Sequence, residues 1–317
     1  IWAHSLVITI FFPTMYVFLK IADDHRWAWL AGAMVGSIWV TQNIEQPLKL
    51  SMLLLIFVVV GSLLQRRLLR YQLAALAGGV VLSLTWWGIM VHKYSLRGFI
   101  RYYTGDRVVG ALEGVDTNAV VNSAPPTLLD QAAALLHSVT SAGGSGSRAY
   151  SWQDFLLAKG QNAINTPIGI GVIISLLALG TVVYLMWHSR RELLQGLPGL
   201  PEHKGWLMVA LFWLIYAFWG VNGQTFPVSI ARGPFRIWML LAIPTALLAA
   251  EGTLRLKGYL STKSKMLGLL LMLLVLGASA FTSAYPKYQL NTAPWPTSGS
   301  FVHPAEPFEY GAWFQTI

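Results

Sequence analysis

Cysteine is missing altogether from the 317 residues. No disulfide framework and no thiolate metal site can be built from this chain. Charge is the second scarcity: only 11% of residues are Asp, Glu, Lys or Arg, against about 25% in water-soluble domains. Acids are scarcer still, 13 against 22 Lys and Arg. Few charges combined with 55% hydrophobic residues exclude an ordinary soluble enzyme and indicate an integral membrane protein. The net charge of +9 then speaks for anionic headgroups and basic loops rather than for nucleic acid. A basic n-region followed by a small-residue cleavage site is also lacking; an apolar run begins at Ile1, which suggests an upstream part that is not in this chain.

What the chain has in abundance is apolar runs. A bilayer core of about 30 Å takes roughly 20 apolar residues as a helix. Eight runs fit or come close: residues 4–19, 27–42, 49–64, 73–90, 167–187, 205–220, 235–250 and 266–281, the first three being short. Fourteen tryptophans and twelve tyrosines suit a chain with many membrane interfaces. The expected fold is therefore all-α, a polytopic membrane protein with about eight transmembrane helices and one long external loop. It divides into a four-helix segment 1–91, the loop 92–166, a second four-helix segment 167–282 and a Pro- and aromatic-rich tail 283–317.

Lys and Arg set the orientation. Lys20 and Arg26, then Arg66, Arg67 and Arg70, then Arg190, Arg191 and Lys204, then Arg255, Lys257, Lys263 and Lys265 fall in alternate loops. The opposite edges hold Lys49, Arg232 and Arg236, with Lys287 in the tail. The richer set belongs in the cytoplasm by the positive-inside rule. Both termini and the long loop are then extracytoplasmic. Within that loop, residues 126–137 carry helical spacing with Thr127 and Asp130 placed as a cap, and 151–165 repeat the device with Ser151 and Asp154. The Gly/Ser stretch 141–148 between them is flexible in character. Two short helices joined in this way describe a mobile external flap, in which Ser138, Ser141 and Trp152 lie. The tail offers a helix start at Pro304 or Pro307, with Glu306 and Glu309 in the first turn.

Chemistry-bearing clusters are few. Asp23, Asp24 and His25 have the atoms for a divalent cation but read as a solvated turn beside Arg26. No acids share ligand spacing in a span, and no Ser/His/Asp set or phosphate-cradling Gly-rich loop appears, so no metal ligands are assigned. Gly32 and Gly36 have GxxxG spacing, which in an apolar helix means close helix contact. The arginines of "IARGPFRIWMLL" are the sharpest feature. Arg232 reads as an interfacial anchor, its charge snorkelling to headgroups. Arg236 sits deeper, on the side where positive charge has no topological reward, and its guanidinium fork suits a phosphate.

The segment "FRIWMLLAIPTALLAAEG" resembles a helix of the oligosaccharyltransferase catalytic subunits, polytopic GT-C glycosyltransferases. "LAGAMVGSIWVTQ" resembles their small-residue helix, "HSVTSAGGSGSRAYSWQDF" their mobile external loop, and the tail their linker towards an external acceptor-reading domain. The resemblance implies a lipid-linked sugar donor on a polyprenyl phosphate, a membrane-lipid environment, and phosphate binding by Arg236 and Arg232. It implies a divalent cation (Mg or Mn) whose ligands lie outside this chain, and a missing N-terminal part, external C-terminal domain or other subunits. The family's loop glutamate falls at Ser141, so a different acceptor is open. Two other readings stand beside it: a non-catalytic membrane subunit of a larger assembly, and a transporter of a lipid-linked substrate.

Overall fold

The computed structural model describes residues 3–41, 45–94, 149–157, 169–188, 202–226 and 237–292. Every regular element among the described residues is helical. In chain order these are α1 (Ala3–Lys20), α2 (Trp27–Thr41), α3 (Glu45–Gln65), α4 (Arg70–Tyr94), α5 (Trp152–Leu156), α6 (Val172–His188), α7 (Glu202–Val221), α8 (Trp238–Ser261), α9 (Lys265–Ser279), a π turn (Ala280–Ala284) and α10 (Tyr285–Thr292). Over their described residues, all eight apolar runs coincide with helices for most of their length. Among the described residues, four helical stretches are long and apolar enough to cross a membrane: Gln46–Gln65, Arg70–Lys93, Trp238–Ser261 and Lys265–Tyr288. The apolar helices α1, α2, α6 and α7 offer shorter apolar stretches. Stretches that are apolar on all sides, such as α9 with Leu269, Leu270, Leu273, Leu274 and Leu276 all exposed, belong in hydrocarbon rather than in water.

The chain forms two compact units: residues 1–144 with 186–241, and residues 145–185 with 242–317. In unit 1, α2 and α4 run parallel in closest contact, Gly32 beside Ala75, Gly36 beside Gly79 and Leu82. The GxxxG pair thus does what its spacing predicts: without side chains in the way, two backbones approach. α7 lies antiparallel to α3, with Gly205 against Leu64 and Trp213 reaching Leu53. Hydrocarbon offers no partner for an indole N–H, and three tryptophans find theirs inside the unit. Trp39 donates to Ser51 Oγ at 2.9 Å, Trp87 to the Trp39 carbonyl at 3.1 Å, and Trp213 to the Leu53 carbonyl at 2.7 Å. Trp213→Phe keeps the ring packing on Phe11 and removes only that donor. It should cost about 0.5–1.5 kcal/mol, read as a modest drop in the thermal unfolding midpoint in detergent.

In unit 2, α6 and α8 pack through Gly252, whose missing Cβ leaves room for Thr181 Oγ1 and the Leu177 carbonyl. The Thr181 hydroxyl lies 2.9 Å from both the Leu177 and Leu248 carbonyls, one on each helix. Arg255 pairs with Glu251 at 2.6 Å and lies over the Tyr184 ring.

Two sequence-based expectations are corrected. The tail does not begin at residue 283: the last long helix continues through the π turn to Thr292. Pro286 reads as a breaker because it has no N–H and its ring opposes the carbonyl four residues back. Here the wider π turn stands directly before it, with Tyr285 N–H bonding the Ala280 carbonyl five residues back, and the helix passes the proline. Lys287, assigned to the tail, sits on this helix and donates to the Ile170 carbonyl at 3.3 Å and Ser283 Oγ at 3.0 Å. Ser283 Oγ also donates to the Ile170 carbonyl, and Gly171, at φ +110°, packs on Ser283. Lys49, expected at a span edge, stands near the described start of α3 and is 4% exposed. Pro47 falls in the first described turn of that helix, where amide N–H groups have no intrahelical partner to lose. Second, the helix expected over 151–165 begins as a single turn, capped as predicted by Asp154, which accepts from the Ser151 N–H at 2.7 Å; residues 158–165 lie outside the described residues. That turn ends at Leu156, with Leu157 extended.

Candidate functional site

The turns after α1 and α3 and the start of α7 meet at one end of unit 1, around a cavity of about 700 Å³. Its polar lining is Lys20, Asp23, Gln65, Arg67 and Gln72; its apolar lining includes Phe18, Phe57, Leu64 and Trp206. A second hollow, about 570 Å³, shares Asp23, Gln65, Arg67 and Gln72 and extends to Asp24, His25, Arg70 and Tyr71. The charge pattern of the loops requires these turns to share a side, and they share an end of the unit.

Local sequence builds this site. Arg66 takes φ +51°, a left-handed conformation uncommon for a residue with a Cβ. Ser62 fixes the turn on both sides: its carbonyl accepts from Arg67 N–H at 3.1 Å and its hydroxyl from Leu69 N–H at 3.1 Å. Arg67 Nε donates to Gln65 Oε1 at 3.0 Å. Arg70 lies over the Tyr71 ring, 4.9 Å from its centre, and His25 packs on the same ring at 5.2 Å. Across the cavity, Lys20 donates to Asp23 at 2.9 Å. That hydrogen bond, reinforced by the carboxylate's charge, raises the Lys20 pKa above its ordinary value, so the ammonium stays charged over the whole physiological range. The apolar wall is anchored by Phe57 stacked on Trp206, ring centres 5.7 Å apart.

Asp23, Asp24 and His25 form the solvated turn expected of them. Asp24 accepts from Arg26 N–H at 2.9 Å and lies 3.7 Å from His25 Nδ1, so both acids are engaged locally. Among the described residues no three His, Asp or Glu side chains are grouped to hold a metal. Trp152 opens α5 and is 67% exposed. Ser138, Ser141, Arg232 and Arg236 lie outside the described residues, as do the helix expected over 126–137 and the one expected to start at Pro304 or Pro307. The helix that follows Arg236 begins, as described, at Trp238 after a short turn at Ile237, and Ile237, Leu240 and Leu241 are buried.

The cavity is what sequence reasoning missed. Its basic residues were read as topological markers, and nothing local in residues 20–26 or 65–72 announces that two turns face each other. No known protein family, curated protein or solved structure matches this chain.

Proposed function

We propose that this chain is the membrane-embedded part of a GT-C-type glycosyltransferase, which moves a sugar or oligosaccharide from a polyprenyl-phosphate carrier to an extracytoplasmic acceptor. One observation carries the reading. The run that resembles the oligosaccharyltransferase helix continues from Trp238 as α8, a helix long and apolar enough to cross a membrane, and in the sequence Arg236 precedes Trp238 by two residues and Arg232 by six. A helix start concentrates unpaired N–H groups and the positive end of the helix dipole. A guanidinium there adds a fixed charge and a two-pronged donor for phosphate. When the glycosidic C–O bond to the carrier phosphate breaks, the electron pair stays on the leaving oxygen. Arg236 offsets that growing negative charge, with Arg232 anchoring the helix at the headgroups. The divalent cation that the resemblance implies has no ligand cluster among the described residues, and no step is assigned to it.

Binding tests this directly. The purified chain in neutral detergent should bind a polyprenyl phosphate at least about ten-fold more tightly than the matching polyprenol, the range expected for charge-assisted hydrogen bonds. Arg236→Lys keeps the charge and loses the fork, and should weaken phosphate binding about five- to ten-fold with unfolding unchanged. Arg232→Lys should stay within about two-fold, because an interfacial anchor needs the charge and not the fork. Equal affinity for polyprenyl phosphate and polyprenol would refute the reading.

A further inference from the structure

We propose that the cavity at the end of unit 1 is a binding site for an anionic phospholipid, with the lipid phosphate on Arg67 and the upper acyl chain against Phe57 and Trp206. The inference rests on the chain being a membrane protein and not on the transferase reading. Residues 20–26 and 65–71 hold Lys20, Arg26, Arg66, Arg67 and Arg70 against Asp23 and Asp24, an excess of three positive charges at one mouth. These cations are not equivalent. Lys20 is occupied by Asp23, and Arg70 is laid on Tyr71. Arg67 is held by one nitrogen only: Nε is spent on Gln65, and among the described residues its two terminal nitrogens have no partner. A guanidinium oriented through Nε, with Nη1 and Nη2 left over, presents the fork that suits a phosphodiester.

The walls decide between a soluble anion and a lipid. A site for free phosphate has no use for Phe18, Phe57, Leu64 and Trp206. A phospholipid does: its charge sits at the level of the turns and its chains continue along the apolar helices. The cavity stands where α3 ends and α4 begins, two helices long and apolar enough to cross a membrane, which is the level of headgroups. Basic pockets between such helices recognise anionic headgroups by this combination. At about 700 Å³ the space takes a headgroup, a glycerol and the first part of a chain. The buried Gln72, 5% exposed, adds a polar group to the wall.

The test compares phosphatidylglycerol with phosphatidylcholine as bound lipids on the purified chain, read by native mass spectrometry. Phosphatidylglycerol should be retained at least about five-fold better, the effect of roughly one cation at an anionic surface. Arg67→Gln should bring the two lipids within about two-fold of each other and leave polyprenyl-phosphate binding unchanged, which separates this site from the one proposed for Arg236. Val209→Phe, on the cavity wall, fills the apolar part without touching a charge and should lower retention of phosphatidylglycerol. Inorganic phosphate alone, at millimolar concentration, should not displace the lipid. Equal retention of the two lipids by the unaltered chain, full retention by Val209→Phe, unchanged selectivity in Arg67→Gln, or displacement by inorganic phosphate would each overturn the proposal.

Discussion

Gly79→Leu should prevent stable folding of unit 1, with Gly79→Ala already lowering the unfolding midpoint. The cause is the close approach of α2 and α4. A Cβ on Gly79 would lie 2.5 Å from Val35 Cβ and 2.7 Å from the Gly32 carbonyl oxygen, closer than such atoms can stand. The helices must separate, and with them go the contacts of buried Ala31, Val35 and Ile38. Overpacking of a tight contact costs typically about 1–3 kcal/mol, which sets the alanine variant; leucine should exceed it. The pattern of rescue is specific. Val35→Ala should relieve little, because alanine keeps the Cβ that clashes. Val35→Gly should relieve part, because the Gly32 carbonyl belongs to the backbone and stays. Thermal unfolding of the single and double variants in one detergent measures this. Full rescue of Gly79→Ala by Val35→Ala would show that the helices do not meet backbone to backbone.

Unit 2 should respond to the corresponding change with the opposite coupling. A Cβ on Gly252 would stand 2.5 Å from Thr181 Oγ1 and 2.9 Å from the Leu177 carbonyl. Gly252→Ala should therefore destabilise by about 1–3 kcal/mol. Thr181→Ala alone loses a hydroxyl bonded in the buried contact, about 0.5–1.5 kcal/mol. Combined, the two should cost less than their sum, because the alanine at 181 removes the very atom that the new methyl meets. Contacting residues show such coupling, commonly about 0.5–3 kcal/mol. A double-mutant cycle on the unfolding midpoint reads it, and strict additivity would mean that Thr181 and Gly252 do not touch.

The helices were legible because their apolar runs are long, and hydrocarbon leaves a backbone few alternatives to the helix. The GxxxG of α2 was legible as a packing face, yet its partner was not: Gly79 sits in "LAGG", where only the third dimension distinguishes it from Gly78, which faces open space. Two prolines sit inside helices without breaking them: Pro47 occupies a first turn and Pro286 follows a π turn, and each position removes the conflict that makes proline a breaker. The cavity was invisible because it is assembled from two turns some forty residues apart and the start of α7, far beyond both in the sequence. Arg67 reads identically as a topological marker and as a ligand-facing fork until the Gln65 bond to its Nε is seen.

The unequal lengths of neighbouring helices bear on the bilayer itself. As described, α2 has 15 residues, about 22 Å of rise, and packs side by side with the 25-residue α4. Its outward face is apolar, with Trp29 87% exposed and Leu30 46%. Were α2 to cross a bilayer of about 30 Å over these residues alone, the bilayer would thin or its headgroups would be drawn inward, at a cost of a fraction of a kcal/mol per ångström. The flank of unit 1 that carries α2 would then be a place of elastic deformation. The chain should favour membranes of shorter-chain lipids, where that deformation is least.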